Sequence, residues 1–548
     1  MSAPETTLYV CSGVRLDPRY EHSIYFANKA DQEAYFAGKV VHTFPALSYL
    51  RKSWPVQVHA TMEEAKTWSY LYFHNGSGKT YYYFINQVEY KNEAMVELTL
   101  ELDVLQTYLF DFTRLECFVE RNHVPNDSPV AHTLDEGLEV GELVDNEVFH
   151  WTQLNDKCIL VLATINPNYA ETEKPVQALA GNYNGVFSGL KVWAVNSTDW
   201  ADWGNQLDAL SEAGFLDGII AMWMYPKALV ELGGENTWTD DVLCKTVSGA
   251  RDAGAFLPFD APPTTVDGYT PKNKKLLAYP YSFLYVSNNC GGSAVYRWER
   301  FNIYPQPQFS TAGTLSPEGT VKMFPTSYNG LTYTTEDGFG ASHENYEAGL
   351  SLGGFPMCAW DSDTYKMWLA QNQNQLNMAN ISGGVTIAGG AVATVASALT
   401  GNVAGVMGGV SAMVSGAQQI GNILAQKADM SIQPPQSKGS FSSNVNITAG
   451  KHTFSFYKKS VSAEHAKVID DYFTMYGYKV NRVQKPLIHV REQFTYVKTL
   501  GCTIQGNLCM EDITKIESIF DHGVTFWADG ENIGKYYLDN PGILGVLD

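Results

Sequence analysis

Two stretches of this chain place glycine beside a lysine or a serine at spacings that chemistry uses. Residues 75–80 read NGSGKT, close to the phosphate-cradling loop GxxxxGK[ST], and residues 349–353 read GLSLG, which satisfies the G-x-S-x-G of a nucleophile turn. The first lacks its leading glycine, because Phe73 stands five residues before Gly78, and aromatic, strand-like runs lie on both sides where a helix should follow. It reads as a hairpin turn. The second has SHENYEAG before it and GFPMCAWDSD after it, neither a buried strand nor a helix, so Ser351 belongs to a glycine-rich turn. The twelve histidines form no HExxH and no close His/Asp/Glu group, and no metal or cofactor is expected. The carboxylate pairs Asp361/Asp363 and Asp470/Asp471 read as helix-end or surface residues. A glycosidase needs only two carboxylates brought together by folding, which spacing alone does not show.

Eight cysteines stand at 11, 117, 158, 244, 290, 358, 502 and 509 with no CxxC pair, the usage of reduced, buried thiols; Cys502 and Cys509 are the only pair close in sequence. The formal net charge of -21, with no basic run longer than KNKK at 272–275, argues against a protein that grips nucleic acid. It is compatible with a wall past which DNA slides. MSAPETTLYV carries no basic segment followed by an apolar one, so a cleaved secretion signal is not expected and synthesis in a cytoplasm is the default.

The elements that must position any site begin with sheet. TWSYLYF (67–73) and TYYYFI (80–85) flank the NGSGK turn, and MVELTLELDV (95–104) alternates Val96, Leu98, Leu100 and Leu102 against polar residues with period two. A short helix is expected at ADQEAYFAG, capped by Asp31 and stopped by Gly38. From about 146 the texture reads as alternating strand and helix: strands at 158–164, 189–195 and 218–225, with a helix at 205–214, the pattern of an α/β module. A Pro/Gly-rich stretch at 257–275 marks a boundary, and β patterning resumes to about 357. Near the end, Ile469, Tyr472, Phe473 and Tyr476 recur at i, i+3, i+4 and i+7 with Gly477 at the stop, and EDITKIESIFDHG ends the same way at Gly523. There is no internal repeat. The expected division is 1–145 β-rich, 146–270 inserted α/β module, 271–366 β-rich, 367–430 a long apolar segment, and 431–548 α+β.

That apolar segment is the least ordinary feature. Between Lys366 and Lys427 no residue is charged, and Gly383 to Gly416 contains no aromatic ring. Val385, Ile387, Val392, Val395, Leu399, Val403, Val406, Met407, Val410, Met413 and Val414 make it too apolar for a linker left in water. Ile381 leads into it, and Ile420, Ile423 and Leu424 lead out. Glycines, the pair Gly389–Gly390 among them, make it a poor soluble helix at a cost of roughly 1 kcal/mol each relative to Ala. Its two halves, 385–400 and 403–424, are each near the roughly 20 residues that span a bilayer, and they join at a TGN turn. Small residues recur every fourth position at Gly389, Ala393, Ser397, Gly401, Gly405 and Gly409, and again at Gly408, Ala412 and Gly416. Such small-xxx-small faces let membrane helices pack closely. A permanent anchor should carry more Leu, Ile and Phe and basic flanks. Three readings stand: a conditional membrane-active loop, a packed internal segment, and an anchor.

Seven stretches in order, ELDVLQTYLFD (101–111), ERNHV (120–124), TLDEGL (133–138), LAYPYS (277–282), IQPPQSKG (432–439), MYGYKVNRVQKP (475–486) and FDHGVTFWADGENIGKY (520–536), resemble the distal tail-tube or tail-knob proteins of small short-tailed bacteriophages of the Picovirinae/Salasmaviridae kind. The resemblance implies a mainly β, multidomain subunit with α+β parts, barrel-like tube domains and an inserted module, assembling as a homohexameric ring at the tail tip alongside the other tail proteins, the proximal tube and the tail tip. It implies a lumen through which DNA passes without specific binding, plugged by apolar loops that leave on infection and enter the host cell membrane. The loop would be Ile381 to Leu424. A virion tail protein made in the host cytoplasm and acting at the envelope would carry no catalytic residue. The alternatives are a tail-tip hydrolase of cell wall or capsule and a receptor-binding tail protein.

Overall fold

The computed structural model describes residues 6–47, 55–75, 78–129, 131–163, 181–183, 186–188, 191–196, 219–239, 242–250, 253–301, 306–316, 319–326, 328, 348–355, 357–360 and 451–543. Strands dominate, and the chain divides into two compact units: 1–144 with 262–282 and 460–548, and 145–261 with 283–459.

In the first unit a six-stranded sheet runs in the order Val40–Leu47, Thr6–Ser12, Trp68–His74, Thr80–Asn92, Met95–Leu102, Val56–Val58, with antiparallel neighbours throughout. A second sheet is built from distant parts of the chain: His22–Ile24, Val524–Trp527, Phe494–Leu500, Cys117–Asn122 and Tyr478–Gln484. Its first pair is parallel and the rest antiparallel. The alternation read over 95–102 is realised, with Val96, Leu98, Leu100 and Leu102 all buried. Both sheets feed one core, in which Leu8, Tyr70 and Phe84 from the first join Phe494, Val497 and Trp527 from the second. Each such side chain contributes roughly 1.5–3 kcal/mol by leaving water.

Five α-helices are described. α1 (Lys29–Ala37) is capped by Asn28, whose side chain accepts from Asp31 N at 2.9 Å; Asp31 therefore sits in the first turn and is not the cap expected from sequence. Gly38 ends it as expected. α2 (Met62–Ala65) carries a capping box between Thr61 and Glu64, and α3 (Val104–Thr107) is capped by Asp103. α4 (Ala463–Tyr476) and α5 (Met510–His522) occupy the two late helical readings and stop at Gly477 and Gly523. Gly477 has φ +63°, and a Cβ there would lie 2.5 Å from the Asn122 carbonyl oxygen, so both conformation and space demand glycine.

Among the described residues the second unit holds four sheets, one of them the two-stranded pair Gly181–Tyr183 and Val186–Ser188. The longest runs Val230–Thr239, Val242–Ala250, Lys191–Asn196, Lys157–Ala163, Ile219–Pro226, Met357–Trp360, antiparallel at every pair. The three strands read in the middle module are all present and meet as antiparallel neighbours; the helix expected at 205–214 lies outside the described residues. A four-stranded sheet of Ala253–Phe256, Gln308–Gly313, Val321–Thr326 and Leu350–Leu352 and another of Leu143–His150, Ser455–Val461, Ser282–Ser287 and Ser293–Tyr296 complete it. Trp151, Trp223, Trp298, Phe309, Phe454 and Phe456 fill its core.

Candidate functional site

The stretches that imitate catalytic motifs are structural. Strands Trp68–His74 and Thr80–Asn92 pair directly, with His74 opposite Thr80, so NGSGKT is a hairpin loop. Asn75 holds it, its carbonyl accepting from Gly78 N and its side chain from Lys79 N. The lysine ammonium bonds Asp111 at 2.9 Å and lies 3.8 Å from the centre of the Tyr108 ring. Ser351 lies within a strand opposite Lys322, not on a strand-to-helix elbow. Among the described residues no three His, Cys, Asp or Glu side chains gather into a metal site. Asp361 and Asp363 lie outside the described residues. Asp470 is not the surface or helix-end residue expected: it is buried, and its carboxylate accepts from Tyr269 Oη, Lys272 N, Asn273 N and Asn273 Nδ2 at 2.7–2.9 Å. The thiol pair is different too, since Cys502 is hydrogen-bonded to Cys117, and burial pushes the Cys502 thiol up to about 12.

Every tract residue named above, from Ile381 to Leu424, lies outside the described residues, but the points where the chain leaves and returns do not. It leaves from Met357–Trp360, the outermost strand of the six-stranded sheet, with Trp360 opposite Ala221. It returns at Lys451. Asn289 Nδ2 donates to the carbonyls of Lys451 and Thr453 at 3.1 and 2.8 Å, Thr453 Oγ1 donates to Trp151 O at 2.7 Å, and Trp151 N donates to Phe454 O at 3.0 Å. His452 joins the two ends. Its Nε2–H donates to Gly353 O at 2.9 Å and its ring packs edge-on against Phe355 at 4.6 Å between centres. Burial holds its pKa down to about 4, so the ring is neutral. Beneath it the buried Lys157 donates to the carbonyls of Leu154 and His452, and burial lowers its pKa to about 8. Among the described residues no helix is long and apolar enough to cross a membrane.

In the first unit the stretches that carried the resemblance converge on buried polar centres. Arg121 of ERNHV donates to Glu136 of TLDEGL at 2.7 Å, Lys275 pairs with the other carboxylate oxygen, and Lys479 N donates to it at 2.9 Å. The Glu136 side chain is fully buried. Burial lowers the Lys275 pKa against the opposing pull of Glu136. His123 Nδ1 accepts from Tyr496 N at 2.7 Å, so its protonated nitrogen is Nε2, which donates to Thr474 O at 3.1 Å. Burial, then the Arg491 and Arg121 charges, hold its pKa at about 3. Asp103 of ELDVLQTYLFD accepts from Tyr70 Oη at 2.7 Å, and Asp521 of the last stretch accepts from Thr499 Oγ1 and Cys502 N. Reading along the chain found none of this cluster, because its members are separated by up to several hundred positions. The one available signal was charge inside otherwise apolar stretches.

Residues 254–541 match the family described as the C-terminal domain of the Bacillus phage phi29 tail knob protein gp9, and residues 4–113 match the N-terminus of the caudoviral major tail protein. Tail knob protein gp9 of Bacillus phage B103 is 27% identical and that of phage phi29 25%, each alignment covering 98% of this chain and 98% of the relative. The solved tail knob protein gp12 of bacteriophage C1 shares the fold with a TM-score of 0.67 at 13% identity, covering 98% of this chain and 100% of that one.

Proposed function

The chain belongs to the family of the phage phi29 tail knob protein gp9, a structural component of a phage tail, and on that premise we propose that six copies form a distal tail conduit plugged by their apolar tracts. On this reading the tract 381–424 is sheltered among its copies until ejection and then enters the host cell membrane, opening the way for the genome.

The observation that carries the proposal is the pairing of sequence and anchorage. An uncharged, glycine-rich segment with small-xxx-small faces hangs between two chain ends that a single unit ties together through His452, Thr453 and Asn289. A segment of this composition gains from mutual burial in a ring and from close helix packing in a bilayer, and a fixed base lets it move without unfolding its carrier. The net charge of -21 suits a passage that DNA must cross without adhering.

The ring needs a surface, and the second sheet of the first unit offers one. Val483, Phe118 and Leu500 stand directly opposite one another on three adjacent strands, exposed by 67, 36 and 67%. Tyr478–Gln484 is moreover an edge strand, a ready site for a neighbouring copy. Electron microscopy of the purified full-length protein tests the assembly: sixfold rings with density closing the channel support it, and dispersed monomers or an open ring contradict it.

A further inference from the structure

We propose that a cavity of about 250 Å³ in the first unit binds one phosphate-class oxyanion. It is lined by the KNKK loop, by His123, Asp127, Thr474 and Arg491, and by the C-terminal stretch 538–542. None of these residues belongs to the tract or to its base.

The loop explains why cations collect here. Its backbone wraps Asp470, with Lys272 N and Asn273 N both donating to that carboxylate, and Lys275 turns inward to Glu136. Lys272 and Lys274 are left exposed on the cavity wall, and neither ammonium group makes an ion pair among the described residues. Deeper in, Arg491 is 7% exposed. One of its terminal nitrogens donates to Asn540 O at 3.1 Å and the other lies 3.7 Å from Asp127, while Nε is buried with no acceptor. The second terminal nitrogen makes no hydrogen bond among the described residues, and the planar donor fork of arginine to which it belongs suits a tetrahedral oxyanion.

Two carboxylates line the same space, Asp127 and Asp539, against three cations. Asp127 is already occupied by Tyr478 Oη, by Lys274 N at 3.1 Å and by Arg491. His123 is neutral and both its nitrogens are engaged, so it walls the cavity without competing. The remaining donors, Lys272 Nζ, Lys274 Nζ and the second terminal nitrogen of Arg491, carry the positive balance.

The chemistry is that of a phosphate group, whether free or in a phosphodiester. Isothermal titration of the full-length protein in phosphate-free buffer, with inorganic phosphate in one arm and a short single-stranded oligodeoxynucleotide in the other, tests it. The expected result is saturable binding at one site per chain, weakened at least tenfold in the Lys272→Gln/Lys274→Gln double variant, whose exposed substitutions leave the fold intact. Arg491→Lys is expected to weaken it as well, with its folded state checked by circular dichroism. Preference for the oligonucleotide identifies a nucleic-acid phosphate and preference for inorganic phosphate a free anion. Absence of saturable binding in both arms, or binding unchanged in the double variant, overturns the assignment.

Discussion

His452 and Gly353 close the base of a long excursion: the ring Nε2–H donates to the Gly353 carbonyl at 2.9 Å, and the chain between Trp360 and Lys451 carries the entire uncharged tract. Both partners sit in one unit, so the excursion begins and ends at a fixed place however its middle is arranged.

Replacing that imidazole by a ring that cannot donate isolates the bond. His452→Phe keeps the edge contact with Phe355 and leaves the Gly353 carbonyl without its donor, and stability should fall by about 1–3 kcal/mol. Denaturant unfolding measures the loss, and thermolysin should cut within 361–450 faster than in the parent. Unchanged stability and unchanged cleavage would show that the base is held by other contacts.

The Glu136 centre makes a sharper demand. With Arg121 and Lys275 both directed at one buried carboxylate, Glu136→Gln leaves two buried cations without a counter-charge and should cost about 3–5 kcal/mol. Combining it with Lys275→Met should recover part of that loss, because one uncompensated charge goes with it. A double variant no more stable than the single one would argue against the charge account.

Acid should destabilise the protein through its buried histidines. The folded pKa of His123, about 3, and of His452, about 4, lie below the unfolded value near 6.5, so each neutral ring contributes stability that is complete above pH 6.5. That stability is lost as pH falls through the folded values. For the fully buried His123 the whole effect is on the order of 5 kcal/mol at about 1.4 kcal/mol per pKa unit. Unfolding free energies measured from pH 7 to pH 3 should decline steadily across this window; a flat profile would refute the assignment.

Assembly should fail without unfolding when the exposed apolar row is charged. Val483→Glu with Leu500→Glu changes two exposed side chains and should alter monomer stability by no more than about 0.5 kcal/mol. Light scattering after gel filtration should then report monomers in place of rings. Rings of normal mass would move the subunit contact elsewhere.

Elements whose signal is local were legible in the sequence. The alternation at Val96–Leu102, the hairpin at Asn75–Lys79 and the glycine stops at Gly477 and Gly523 each follow from neighbours a few positions apart, and the structure has them. The cap of α1 was misplaced by three residues because Asn28 and Asp31 are both good capping types and only the backbone at Asn28 is extended. The antiparallel pairing of Lys157–Ala163 with both its neighbours was not legible, since buried strands look alike whichever way they run. Arg121, Glu136, Lys275 and Asp470 were missed for a different reason: a buried charge is recognised by its partners, and theirs lie far along the chain. The tract stood out by composition alone, through the absence of charge over residues 367–426.

The central claim is that this tract opens membranes. Purified full-length protein added to dye-loaded liposomes should release the dye, and deletion of 385–420 should abolish release while sixfold rings persist under the electron microscope. Rings of the deleted protein that still release dye at the parental rate would contradict it.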